Sequence, residues 1–317
     1  MNLQNAAETV LKQCMGASEG ETLCIVYDWE KEAIAEALMS VGMDLGLEVV
    51  SVQMPIAAND GAEPPKSAAL AMRGADIVLC VTTRSLSHTK ARREASAGGA
   101  RIASLPGVTE DMLIRTMAAD YTAVAQRGGV LQKALLEAHK VHIITEAGTD
   151  LTMDITERDP GNDTGLLHKP GSFGNLPAGE VALSPVEGTA QGVLIVDGSM
   201  SGAGKLDESI RIEVNRGLAE RISGGRAAQR IRELIEPLGQ AAHNIAELGI
   251  GTNDCAKITG RVLEDEKVMG TIHVALGNNA GMGGTVDVAI HLDGVVQSPT
   301  VILDDTIVLM KDGTLQI

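Results

Sequence analysis

The residues with the most chemical potential in this chain cluster toward its C-terminal end. Glu264-Asp265-Glu266 stands just ahead of His273, and His291-Leu292-Asp293 follows, within sequence that otherwise reads as short apolar strands. Imidazole nitrogens and carboxylate oxygens together form the donor set that holds divalent metals. Side chains of a strand repeat every second residue, so His291 and Asp293 share one face and can converge on one ion. His273, in Thr271-Ile272-His273-Val274-Ala275-Leu276, alternates with apolar neighbours and taken alone would be a hydrogen-bonded core histidine. Glu247, in Asn244-Ile245-Ala246-Glu247-Leu248-Gly249, and Glu180, in Leu176-Pro177-Ala178-Gly179-Glu180, interrupt core-like sequence in the same way. An uncompensated buried carboxylate costs roughly several kcal/mol. Each therefore needs a cation: a metal, or one of Lys257, Arg261 and Lys267. The plain reading of the acidic run at 264–266 is a solvated turn, with Glu266 the member expected to point inward. The candidate ligands are thus Glu180, Glu247, Glu266, His273, His291 and Asp293. His139, His142, His168 and His243 lack comparable neighbours.

A scaffold must hold these residues, and 317 residues are enough for two domains with separate cores. Apolar residues recur at helical spacing over 3–17, and 22–27, 48–52, 75–81 and 100–105 read as strands with helical segments between them. Strands apolar on both faces and alternating with helices predict an α/β N-terminal domain with a parallel sheet, over 1–145. Ligands collect where the C-terminal ends of such strands meet loops. The loop at 82–90 lies there, which makes Arg84 and His88 candidate substrate-binding residues; the alternative is helix capping by Ser87 or Thr89. No GxGxxG follows the first strand and no GxxxxGK[ST] occurs, so nucleotide binding has no support. A helix predicted over 118–140 leads to a hairpin at 141–155 and then to a Gly- and Pro-containing loop at 159–179, longer than compact domains usually carry without a purpose. From 146 to 317 the pattern predicts an α+β C-terminal domain of mostly antiparallel strands, with one helix near 225–238 and with the metal site on its strands.

Composition excludes whole classes of function. The formal net charge of −16 opposes nucleic-acid binding, which needs clustered Lys and Arg, and the one basic spot, Lys90, Arg92 and Arg93, is offset by Glu94. Cys14, Cys24, Cys80 and Cys255 are scattered without a CxxC pair, as expected for reduced thiols in a cytoplasmic protein. Neither a signal-peptide order nor a membrane-length apolar run of about eighteen residues occurs. The expected partner is a small molecule or short peptide. Trp29, Phe173, Tyr27 and Tyr121 are the complete aromatic set, so the core must be aliphatic and no tyrosine beyond Tyr121 can take part in chemistry.

As an ordered set, these residues resemble the aminopeptidase T group of metallopeptidases. The matching positions are Pro177-Ala178-Gly179-Glu180, Glu247 before apolar residues, Asp265-Glu266 ahead of His273, and His291-Leu292-Asp293, with Ser87-His88-Thr89 and Ala91-Arg92 as an N-terminal counterpart. The resemblance implies that Glu180, Glu247, Glu266, His273, His291 and Asp293 hold two ions such as Zn²⁺ or Co²⁺. It also implies metal-activated water attacking an amide or peptide carbonyl, catalytic carboxylates at Glu180 and Glu247, and a homodimer. The peptidases carry a tyrosine shortly after the metal-binding histidine. This chain reads Leu276-Gly277-Asn278-Asn279-Ala280-Gly281 there, with Asn278 or Asn279 as a polar substitute and Asn278 the candidate substrate contact. The chain is similar as well to the 2,5-dihydroxypyridine 5,6-dioxygenase group, a shorter form of the same architecture that uses one Fe²⁺ held by two His and one Asp. His273, His291 and Asp293 match that triad. A metal-dependent hydrolase is the first expectation and a mononuclear Fe²⁺ ring-cleaving dioxygenase the alternative. A non-catalytic binding protein with a relic site is the third.

Overall fold

The computed structural model describes residues 1–316. Contacts divide the chain into two units, Met1–Ala125 with Asp163–Ala178, and Gln126–Asn162 with Gly179–Ile317. The single cut expected near 145 is replaced by a chain that leaves the first unit, returns to it and leaves again. The long loop at 159–179 makes the return: its Phe173–Asn175 strand pairs in parallel with Arg101–Ser104. Three residues carry too little alternation to be read as a strand from sequence.

In the first unit a five-stranded sheet runs in the order Glu48–Met54, Thr22–Asp28, Ile77–Val81, Arg101–Ser104 and Phe173–Asn175, with every neighbouring pair parallel. The central strands are buried on both faces, which is why their sequences show no polar alternation. The predicted N-terminal helix begins at Leu3–Glu8 with Asn2 capping Asn5 N, then widens to a π-helix over Thr9–Cys14. The helix Lys90–Ala97 starts directly after Thr89, its cap, whose hydroxyl accepts from Arg92 N.

The second unit carries two sheets. One has eight strands, and the other runs Gly204–Lys205, Ser199–Met200, His291–Gln297, Thr271–Gly277, Ile245–Gly251, Glu180–Leu183 and Gly161–Asp163. The pairings among the strands that matter here are antiparallel. One aliphatic core draws on both sheets, with Val141, Ile143, Leu151 and Leu194 from the first and Val181, Leu248, Ile250, Ile272, Val274 and Leu292 from the second. Burying each such side chain contributes about 1.5–3 kcal/mol. Because strand residues alternate, committing these residues to the core turns Glu180, Glu247, His273, His291 and Asp293 to the opposite face. The expected classes, α/β with a parallel sheet followed by α+β with antiparallel strands, are those observed. No helix among the described residues is long and apolar enough to cross a membrane.

Candidate metal centre

Strand register decides which of these side chains can meet. Glu247, Ala275 and Asp293 are Cα partners in one row across the sheet; Gly249 pairs with His273, Gly251 with Glu180, and Gly277 with His291. Small residues between the polar ones leave the face clear. Gly249 is the most exacting of them, because a Cβ there would overlap the His273 ring. Gly249→Ala should displace that imidazole and weaken metal binding about tenfold or more, a range typical of disturbed metal-site support, as read by titration with Co²⁺. Gly129→Ala, on the exposed face of the Tyr121–Glu137 helix with nothing near the added carbon, should instead raise stability by about 0.5–1 kcal/mol.

The resulting cluster has the spacing of a coordination shell. His291 Nε2 lies 2.8 Å from Glu247 Oε2 and 3.1 Å from Asp293 Oδ1. His273 Nε2 lies 3.3 Å from Glu247 Oε1 and 3.6 Å from Glu180 Oε2. Two donors bound to one ion at about 2.0–2.2 Å are about 3.0–3.5 Å apart at octahedral or tetrahedral angles, so this donor set fits a divalent cation. The ligand atoms of Glu247, His273 and Asp293 all lie within 4.8 Å of one another, as do those of Glu180, Glu266 and His273. His291 Nδ1 donates to the Asn278 carbonyl at 2.8 Å. A carbonyl only accepts, so this bond places the proton on Nδ1 and leaves Nε2 facing the carboxylates, the tautomer a metal ligand requires.

Lys267 answers the question of which cation compensates the carboxylates. Its side chain is 1% exposed, and Nζ lies 2.6 Å from Glu180 Oε1 and 2.7 Å from Glu266 Oε1. An ammonium therefore bridges two of the six expected metal ligands. The acidic run also departs from expectation. Glu264 and Asp265, read as solvated, are wholly buried; Glu264 accepts from Lys257 N at 3.0 Å, and Asp265 from Thr259 N at 2.7 Å and Gly260 N at 2.9 Å. These bonds pin the turn that sets Glu266 and Lys267 in place. A carboxylate pair shortly after Thr259-Gly260 is the signal that capping chemistry offers.

Electrostatics follow from the crowding. Burial alone would depress the His273 imidazole, but its hydrogen bond to Glu247 and the charges of Glu180, Glu247 and Asp293 outweigh burial and raise it to about 9. His291 is likewise lowered by burial and raised more strongly by Asp293 and Glu247, to about 12. Burial pushes Glu247 up, yet the two imidazoles hold it well below the carboxylate range. Burial dominates at Glu266, pushed up to about 7 against the pull of Lys267. Without a metal, protons take the place that a divalent ion would fill, so metal binding must release them.

The other expected site residues are placed as follows. The Asn278 side chain is committed to its own loop, donating to Asp287 Oδ1 at 2.9 Å and Val288 O at 3.0 Å while accepting from Ala280 N at 3.1 Å. Its expected substrate contact gives way to a different use, since its carbonyl orients His291. His243 lies outside the cluster, its Nδ1 2.8 Å from Ala219 O. In the first unit, Arg84 is exposed and 3.7 Å from Asp60, and exposed His88 accepts at its carbonyl from Arg93 Nη1.

The loop leading to His291 is anchored by Glu187, which accepts from Thr285 N at 2.6 Å and Asn279 Nδ2 at 3.0 Å and pairs with Arg158. Burial would raise this carboxyl, but those bonds bring it from 4.5 down to about 2. A depressed carboxyl contributes stability that is fully present above its unfolded value and lost as pH falls through the folded one. Urea unfolding should therefore show wild type more stable than Glu187→Gln at pH 6, with the difference shrinking from about pH 4.5 toward pH 2.

Comparison with known proteins bears on both resemblances. The family model described as NicX, 2,5-dihydroxypyridine 5,6-dioxygenase, matches residues 2–317. The 2,5-dihydroxypyridine 5,6-dioxygenase of Pseudomonas putida KT2440 is 24% identical over 253 residues, covering 76% of this chain and 71% of that one. The solved 2,5-dihydroxypyridine dioxygenase from the same strain superposes with a TM-score of 0.83 at 21% identity, covering 99% of this chain and 96% of that one. AmpT from Thermus thermophilus superposes at 0.72 with 17% identity, covering 100% and 99%. The fold is thus common to both groups, whereas the family model and the sequence relative both carry the dioxygenase name, so the hydrolase expectation yields first place to its alternative. The chain belongs to the 2,5-dihydroxypyridine 5,6-dioxygenase family.

Proposed function

We propose that this protein is a mononuclear Fe²⁺ dioxygenase that opens a dihydroxylated pyridine or a similar hydroxylated ring. The observation that carries the reading is Lys267: its ammonium spans Glu180 and Glu266, where a second ion would need both carboxylates. Once those two are neutralised, the residues left to hold a metal are His273, His291 and Asp293, with Glu247 against both imidazoles. Two imidazoles and one carboxylate are the donors of the non-haem iron oxygenases, and iron held by them would supply the activation of O₂ toward a hydroxylated ring. The chain's own part is to fix that triad on two neighbouring antiparallel strands, with Glu247 on a third. Glu247, beside both imidazoles, is the carboxylate placed to take the proton that a ring hydroxyl would give up on binding. Glu180, expected as a catalytic carboxylate, instead holds Lys267. The names of the relatives support the substrate class.

The test is a paired assay. After anaerobic loading with Fe²⁺, 2,5-dihydroxypyridine should be consumed with matching uptake of O₂, and amino-acyl p-nitroanilides should be untouched under Zn²⁺ or Co²⁺. Hydrolysis of the anilides without O₂ uptake on the pyridine would overturn the reading.

A further inference from the structure

Asp293 turns its Oδ1 toward the cluster, 3.1 Å from His291 Nε2. Its other side faces the tight hairpin formed by Ser199–Met200 and Gly204–Lys205, which adds to the sheet through Met200 and Gly294. Gly294 permits that approach, since a Cβ there would lie 2.8 Å from a Val196 methyl and 2.9 Å from the Met200 sulfur. At the hairpin's turn Ser201 meets Asp293 three times. Ser201 N donates to the Asp293 carbonyl at 2.8 Å, Asp293 N donates to Ser201 Oγ at 3.1 Å, and Ser201 Oγ donates to Asp293 Oδ2 at 3.4 Å. The Asp293 N–H occupies the hydroxyl as an acceptor, so the hydroxyl's own proton is directed to Oδ2.

We propose that Ser201 is a positioning residue for the metal centre, its hydroxyl holding Asp293 Oδ2 so that Oδ1 alone is delivered to the ion. The role rests on the metal reading above. A carboxylate anchored at one oxygen binds through the other as a single donor, which keeps positions on the ion open, whereas a released carboxylate can swing or chelate with both oxygens. Partners of this kind typically contribute about 10–100-fold to metal affinity.

The probe is Co²⁺, whose visible spectrum reports coordination number and is indifferent to turnover. Full-length wild type, Ser201→Ala and Ser201→Thr are titrated with Co²⁺, and the melting temperature of each metal-free chain is recorded. Ser201→Ala should bind about 10–100-fold more weakly with an altered Co²⁺ spectrum at saturation, while its metal-free melting temperature stays near that of wild type. Ser201→Thr, which keeps the hydroxyl, should restore affinity and spectrum. Wild-type affinity and spectrum in Ser201→Ala would overturn the role, as would equal weakening in Ser201→Thr with its fold intact. If Ser201→Ala does not fold, Ser201→Thr decides alone, with wild-type binding supporting the role and weakened binding opposing it. A wild-type chain that binds no Co²⁺ overturns the metal reading and this role with it, an outcome distinct from failure of the serine alone.

Discussion

Replacing Lys267 with Met should convert a one-ion centre into one that takes up two. Methionine keeps the unbranched length of the stem and removes the charge. Glu180 and Glu266, now held by Nζ at 2.6 and 2.7 Å, would face each other across an apolar group. Breaking a buried ion pair by deleting one partner costs about 3–5 kcal/mol, because the remaining charge stays buried. In chelator, Lys267→Met should therefore melt well below wild type. Glu180 and Glu266, both within hydrogen-bond reach of one ammonium, would then offer two carboxylates to a divalent ion in its place. Zn²⁺ or Mn²⁺ at about a hundred times its dissociation constant would return about 2.7 kcal/mol, and metal content should rise from one ion per chain to two. A variant with one ion and a melting temperature indifferent to metal would show that Lys267 does not stand in for a cation.

The second large effect is expected at the triad itself. His291→Ala and Asp293→Ala should each abolish stoichiometric metal binding and all O₂-dependent turnover. Structural zinc sites gain about 10–16 kcal/mol from four ligands. Loss of one ligand is then worth roughly 3 kcal/mol, a hundredfold or more in affinity. Both side chains lie on the face of the His291–Gln297 strand opposite Leu292, which belongs to the core, so the fold should survive and far-UV circular dichroism should be unchanged. Full metal content in both variants would remove the centre from this location.

How much of this was legible in the chain depends on the length scale of each signal. Period-two alternation separated Leu248, Ile272 and Leu292 from Glu247, His273, His291 and Asp293, and that pattern survives in any antiparallel sheet, so these candidate ligands could be named from sequence. Cation choice has no such signature. Lys257, Arg261 and Lys267 were equivalent partners for a buried carboxylate until the fold brought Lys267 between Glu180 and Glu266, and the proposed single ion rests on that. Glu264 and Asp265 read as solvated because charge runs usually are; their burial depends on backbone N–H groups at 257–260 that only a folded turn presents. Asn278 looked like a substrate contact because it stands where the peptidases carry a tyrosine, and its amide proved to be spent on its own loop. The excursion at 163–178 escaped because its strand is short and its partner, Arg101–Ser104, is distant in sequence.

A count of bound iron tests the one-ion centre most directly. Wild-type protein saturated anaerobically with Fe²⁺ and freed of excess metal should contain one iron per chain by plasma emission analysis, because an ammonium already fills the place beside Glu180 and Glu266. Two tightly held ions per chain in the wild type would contradict it.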